Sequence, residues 1–429
     1  MFELIKKIIK LFTCLITLLI IILITKYFFK NNREVNKFEE KINYNMLTMN
    51  LEQTEGAGDY KTVTQSNWPT EGYKFNRELS KCEKGSKLSW NDTKKAVIVS
   101  GNLSDKCYVY FDIIPSVFHY CESGTELLTC IKNFGDQGAD ISNIYIHNSS
   151  LENGAGDNSY RFAGASTEVN NFVCFGSEAN PCPTDNLYRI IGVIDNKVKL
   201  IKYDYAKNTL TGETGEYYAS TSSSSNYPSY LGELNNFSTY YWNNITKNNT
   251  WSESELNKTN LNNSFFENIG AKWEDMIDTT TWKVGGNTSA NTINAIPATA
   301  YQNEIVNPKI TATTDKASDY EAKIGLMYVS DYGFAADPSA WKTTLYNYNE
   351  SVNGSAIRAQ NWIYMGFTDW LITRQAIGSQ GVFAIRKEGN VETLSLMSAM
   401  GIRPVFNLKT SVVYVTGDGT KYSPMRIQS

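Results

Sequence analysis

Apolar residues gather in three short runs separated by polar ones through KLSWNDTKKAVIVSGNLSDKCYVYFDI. The pattern predicts strands at Leu88–Trp90, Ala96–Val99 and Cys107–Phe111, with an Asn91-Asp92 turn between the first two. This is the signature of a small β-sandwich over residues 66–115. After Pro115 the spacing turns helical in the decapeptide from Gly124 to Asn133, and a Gly- and Asn-rich passage follows to about Ser159. Within it, Asp157 and Asn158 read as turn formers. NLYRIIGVIDNKVKLIKYDY is the clearest hairpin, with strands Leu187–Ile194 and Lys197–Tyr203 joined across Asp195-Asn196. Residues 207–250, rich in Ser, Thr, Asn and Tyr, read as a surface loop. Ser252 to Glu255 has capping-box spacing, and Leu256, Leu261, Phe265, Ile269, Trp273 and Ile277 fall on one face of a predicted helix. Further strands are expected at Ile324–Val329, Val382–Arg386, Gly401–Leu408 and Ser411–Thr416. A turn at Asp418-Gly419 precedes Met425–Ile427.

A different pattern marks the N-terminus. Lys6, Lys7 and Lys10 precede the uncharged run Leu11–Thr25, which is short for a ~30 Å hydrocarbon layer at ~1.5 Å per residue. Leu4, Ile5, Ile8 and Ile9 extend the apolar face, the flanking lysines can snorkel, and Tyr27, Phe28 and Phe29 suit an interface. No small-x-small cleavage site follows, so residues 1–30 are expected to be an uncleaved signal anchor. Residues 31–65 are polar and read as a linker.

Composition adds limits. The 429 residues are 41% hydrophobic and 20% charged, a globular balance, and the formal net charge of −4 argues against nucleic-acid binding. Of seven cysteines, Cys14 lies in the apolar run. The other six are Cys82, Cys107, Cys121, Cys130, Cys174 and Cys182, an even number that suits an oxidising compartment. Proximity favours Cys82–Cys107, Cys121–Cys130 and Cys174–Cys182 among the possible pairings. These cysteines place the bulk of the chain outside the cytoplasm. A zinc site is disfavoured because there is no CxxC and the two histidines, His119 and His147, lack ligand spacing; no metal or cofactor is expected.

The segments CYVYFD, GAGDNSYRFAG, NFVCFGS, CPTDNLYRIIGV, AKIGLMYVSDYGFA, NWIYMGFTDWLITR and GIRPVFNLK occur in an order that resembles uncharacterised bacterial surface proteins. The C-terminal third, through Trp370-Leu371 and Gly401-Ile402-Arg403-Pro404, is also similar to the C-type-lectin-like superfamily that includes the formylglycine-generating-enzyme fold. With the elements read above, the expected architecture is α+β and β-rich: an N-terminal transmembrane helix, the small β-sandwich, a disulfide-linked connector over 116–159, and, as the resemblance implies, a C-type-lectin-like domain over 160–429. Fold alone assigns no activity. Neither the EPN nor the QPD tripeptide of calcium-dependent lectins occurs, and no cysteine follows Cys182 to support copper-dependent oxidase chemistry.

Catalytic signals are weak. Neither histidine lies beyond Tyr160 to serve a nucleophile in the large domain, both read as structural, and no carboxylate pair or phosphate-binding glycine loop stands out. Aromatic and amide side chains remain as binding groups. Tyr240, Trp242 and Trp251 are the carbohydrate candidates of the polar loop. Asp369 and Arg374, flanking Trp370, either face a ligand groove or form a buried ion pair, whereas Trp341, Trp362 and Trp370 read as core. The expected function is recognition of an extracellular glycan or protein at the membrane surface. A non-binding structural protein and an undetected hydrolase are the alternatives.

Overall fold

The computed structural model describes residues 47–54, 56–63, 69, 73–91, 96–101, 105–113, 120–213, 218–284, 286–287, 294–308, 319–352, 354–376 and 380–429. The predicted anchor at residues 1–30 and His119 lie outside them. Among the described residues, no helix is long and apolar enough to cross a membrane. The chain divides into two compact units, residues 1–114 and 115–429.

In the first unit, strands β1 (Leu47–Glu52), β2 (Tyr60–Val63), β3 (Tyr73–Cys82) and β6 (Cys107–Ile113) form a sheet in the order β2-β1-β6-β3, and β4 (Lys87–Asn91) and β5 (Ala96–Ser100) form a separate hairpin. Alternate residues Val109 and Phe111 of β6 face inward with Met49 and Leu51 of β1. Trp90 of the hairpin packs edge-on against Phe111 at 5.4 Å between ring centroids. Cys82 and Cys107 are paired across β3 and β6 and joined by a disulfide. Strand β1 corrects the linker reading of residues 31–65. It alternates Leu47, Met49 and Leu51 with polar residues, pairs parallel to β6, and its terminal Glu52 accepts from the N–H groups of Gly58 and Ile113 at 3.0 and 2.9 Å.

The second unit takes in residues of the expected connector. Helix α1 (Leu127–Gly135) buries Leu127, Cys130, Ile131 and Phe134 in the main core, and disulfide Cys121–Cys130 ties its approach. Strands β7 (Ile144–Ile146), β8 (Tyr160–Phe162), β9 (Phe172–Cys174), β10 (Leu187–Ile194) and β11 (Lys197–Lys202) follow, and Cys174–Cys182 closes a loop after β9. The β10–β11 hairpin forms as expected. Asp195 and Asn196 have φ of 50° and 57°, the pair of left-handed residues that a two-residue hairpin turn needs.

The expected surface loop contains the hairpin β12 (Tyr218–Ser223) and β13 (Asn236–Tyr240). The single helix expected from Leu256 to Ile277 is broken into a wide π-helical stretch Leu256–Ser264, helix α2 (Phe265–Ile269) and a short turn Ala271–Glu274. Two causes are visible. Gly270 takes φ of 85°, and buried Asn257 and Asn260 donate to the carbonyls of Trp251 and Thr211. The capping box at Ser252 is not formed; Ser254 Oγ accepts from the Asn257 N–H at 3.3 Å instead.

Strands β14 (Thr280–Lys283) and β15 (Gly286–Asn287) precede helix α3 (Pro297–Tyr301); β16 (Asp319–Ala322) pairs with β14, and β17 (Ile324–Gly325) is followed by helix α4 (Val329–Phe334). The strand expected through Val329 therefore ends early. Asp331 turns the chain into α4 by accepting from the Tyr328 N–H at 3.0 Å. A small hairpin, β18 (Ser351–Val352) and β19 (Ser355–Ala356), leads to β20 (Asp369–Gln375), β21 (Gly381–Ile385) and β22 (Val391–Ser395), which form one sheet with β15. Strand β23 (Val405–Asn407) joins the main sheet, ordered β17-β23-β11-β10-β8-β7 with β9 also on β10, and β24 (Val413–Thr416) pairs with β25 (Arg426–Gln428). The described residues are thus β-rich, with several small sheets, and the second unit has one large core.

Candidate functional site

One row of residues runs across the main sheet of the second unit. Arg161 on β8 is paired with Gly192 on β10, Gly192 with Lys199 on β11, and Lys199 with Asn407 on β23. Cross-strand partners point to the same face, so the row presents a guanidinium, a gap, an ammonium and an amide in sequence. Gly192 supplies the gap. A Cβ there would lie 2.1 Å from the Tyr160 carbonyl, and the β10–β11 register shifts at this point.

The start of α4 descends over the row. Asp331 Oδ2 lies 2.5 Å from Lys199 Nζ, Asp331 Oδ1 lies 3.5 Å from Arg161 Nη1, and Arg161 Nη2 reaches Asp157 at 2.9 Å. Glu304, one turn beyond α3, accepts from the Val329 and Ser330 N–H groups at 3.1 Å each and from the Thr373 hydroxyl at 2.5 Å. The N-terminus of α4 is therefore held by two carboxylates, a favourable place for negative charge.

Around this network lies a cleft of about 270 Å³, lined by Arg161, Lys199, Trp282, Tyr301, Tyr328 and Asp331, with Lys197, Thr280, Lys283 and Asn407 also contributing. Strand β14 carries Trp282 and Lys283, and α3 carries Tyr301. The Tyr328 ring centre is 4.8 Å from Lys199 Nζ and that of Trp282 is 5.8 Å away. Lys197 and Lys283, about one third exposed, pair with Asp278 and Asp319.

Burial dominates the electrostatics. It pushes the Glu304 carboxyl up to about 7, with the Asp331 charge acting in the same direction against the hydrogen bonds of Thr373 and Ser330. It pulls the Lys199 ammonium down, opposed by Asp331. For Asp157, burial acts upward, but the Arg161 charge and bonds from Ser159 outweigh it and hold the carboxyl well below its ordinary range. His147 is fully buried in this unit, its Nδ1 accepting from the Ala155 N–H at 3.0 Å. Burial, aided by Arg161, lowers its pKa to about 3, so it stays neutral. Among the described residues, no group of three or more His, Cys, Asp or Glu side chains is placed to hold a metal ion.

The carbohydrate candidates of the polar loop are not on the surface. Tyr240 and Trp242 are 0% exposed and Trp251 is 1% exposed. The reason is backbone docking: the N–H groups of Tyr240 and Trp242 donate to the Met400 and Leu396 carbonyls, and Trp242 Nε1 donates to Leu371 O at 3.1 Å. Trp370 is buried beside them, and its Nε1 donates to Tyr240 O at 2.9 Å. Asp369 and Arg374 do not pair with each other. Asp369 accepts from Arg403 Nε at 2.6 Å, while Arg374 Nε donates to Val284 O at 2.7 Å and its Nη1 approaches Asn249 Oδ1. Both side chains are buried. Between them the β20–β21 register shifts, after Trp370 and before Arg374.

Arg161, Tyr328, Asp331 and Asn407 lie inside the segments quoted for the resemblance, but no motif marks a cleft residue as a binding group. The signal that existed was Gly192 inside an otherwise aliphatic strand, which marks a bulge or a close approach. Compared with protein-family models, with curated proteins and with solved structures, the chain finds no match.

Proposed function

We propose that this chain is a membrane-anchored surface recognition protein whose second unit is a C-type-lectin-like module presenting the cleft over the Arg161–Asn407 row to a saccharide. The observation that carries the reading is one small concavity that holds the polar side chains of Thr280, Lys283 and Asn407 beside the edges of the largely buried rings of Trp282, Tyr301 and Tyr328. Aromatic walls pack against sugar faces, and hydroxyl, amide and ammonium groups bond sugar oxygens. The bonds between β20 and the Gly401 segment, Trp370 N–H to Gly401 O and Gly401 N–H to Thr368 O, support the lectin-like assignment by joining the two motifs that resemble that superfamily. Three disulfides support an oxidising location, and the apolar N-terminal run supports the anchor.

Two measurements test this. On a glycan array, the full chain in detergent binds a reproducible set of saccharides, and Lys283→Ala combined with Asn407→Ala weakens that binding at least about tenfold, the loss expected from two hydrogen-bonding side chains. An empty array, or binding indifferent to the double substitution, overturns the recognition reading. For the topology, protease added outside intact cells digests residues 47–429; protection of that region overturns the surface location.

A further inference from the structure

The floor of the cleft holds an amine and a carboxyl in direct contact, both largely buried. Lys199 Nζ is 2.5 Å from Asp331 Oδ2, with side-chain exposures of 7% and 2%. The contact joins β11 to α4 across 132 residues of chain. The rings of Tyr328 and Trp282 cover the amine, and Glu304 shares the α4 N-terminus with Asp331, accepting from the next two N–H groups after the one that Asp331 takes.

The geometry points to an intramolecular isopeptide bond between Lys199 Nζ and Asp331 Cγ, formed by the chain itself with Glu304 as the proton relay. Such a bond needs a free amine, a carboxyl that can lose an oxygen, a proton carrier and a fixed approach. Burial favours the neutral forms of Lys199 and Glu304, and the fold supplies the approach.

The step balances as a condensation. Starting from the ammonium–carboxylate pair, one proton passes from Nζ to Oδ2, with which it is in contact at 2.5 Å, and the freed amine lone pair attacks Cγ. Arg161 Nη1, 3.5 Å from Oδ1, stabilises negative charge on that oxygen in the tetrahedral intermediate. Glu304 donates a proton to the departing Oδ2 and recovers one from the nitrogen, so it ends unchanged. Nitrogen keeps one proton, the oxygen leaves with two as water, and no oxidant or cofactor is consumed. The product amide is neutral, as was the ion pair it replaces, and Arg161 retains Asp157 at 2.9 Å as counter-charge. The cross-link closes a long loop and does not depend on the recognition reading.

Intact-mass analysis of the full chain under denaturing, non-reducing conditions decides the matter. The expected mass is below that of the sequence by the hydrogens of three disulfides and by one further water, and digestion yields a branched peptide joining the Lys199 and Asp331 segments. In Lys199→Arg, which keeps the positive charge, the water loss disappears. In Glu304→Gln the cross-linked fraction falls at least tenfold at equal times after synthesis. A wild-type chain of full mass, or water loss without the branched peptide as from a cyclised aspartate, overturns the bond. Cross-linking at an unchanged rate in Glu304→Gln overturns the relay.

Discussion

Arg403 Nε donates to Asp369 Oδ2 at 2.6 Å, with both side chains almost completely buried. The pair joins the first residue of β20 to the Gly401–Pro404 segment, so the two most recognisable C-terminal motifs meet through one charged contact. The Arg403 guanidinium also lies 5.7 Å from the Tyr205 ring centre. Removing one partner leaves the other as an uncompensated buried charge. Arg403→Leu is therefore expected to destabilise the second unit by about 3–5 kcal/mol, and Asp369→Asn, which keeps an acceptor, by less. Urea unfolding midpoints of the two variants check the order.

Glu304 makes stability depend on pH in an unusual direction for a carboxylate. Its folded pKa of about 7 lies above the ordinary 4.5, so the folded state holds the proton more tightly than the unfolded chain. The contribution is complete below about pH 4.5 and is lost as pH rises through 7. Asp369, raised to about 6 from 3.8 chiefly by burial, acts in the same sense over a lower window. Glu304→Gln cannot ionise, so the fall in unfolding free energy between pH 5 and 8 should shrink by about 2 kcal/mol. Urea titrations at the two pH values measure it, and an unchanged difference removes Glu304 as the source.

Gly192 separates Arg161 from Lys199 across the sheet. An alanine there would drive its Cβ against the Tyr160 carbonyl, a backbone atom with little freedom to yield. Gly192→Ala is expected to cost about 2–4 kcal/mol and to displace β8, and with it Arg161. The readout is faster amide exchange at β8 together with weaker saccharide binding than in wild type. Normal exchange at β8 would mean that the bulge can absorb the methyl group.

The Cys82–Cys107 bridge closes a loop with a sequence separation of 25 in the first unit. Replacing both cysteines with alanine should remove about 3 kcal/mol by the loop-entropy relation. Amide exchange of β3 and β6 would then accelerate while the second unit keeps its wild-type protection. Acceleration in both units alike would contradict a local role.

Much of the local fold was legible before any coordinates. The β10–β11 hairpin carries its turn chemistry in Asp195 and Asn196, and the β4–β5 hairpin is marked by the apolar runs Leu88–Trp90 and Ala96–Val99. Each disulfide joins cysteines near in sequence. Two segments depart from their expected form: β1 is a short alternation of Leu47, Met49 and Leu51 inside a stretch that is polar on average, and the Leu256–Ile277 helix fails where buried asparagines bind other segments' carbonyls. Aromatic residues in polar surroundings also misled. Tyr240, Trp242 and Trp251 sit among Ser and Asn yet are buried because their backbone docks on the segment from Leu396 to Met400.

The sequence by itself determined the elements whose causes are local: turns set by left-handed residues, strands set by short apolar runs, short covalent loops and an apolar N-terminal run. Only the tertiary structure decided the cleft. Arg161, Gly192, Lys199 and Asn407 become neighbours through strand register, and Asp331 meets Lys199 only when α4 is laid over β11. Charges so far apart in the chain carry no local pattern, because the burial that gives them their chemistry exists only after the sheet has formed.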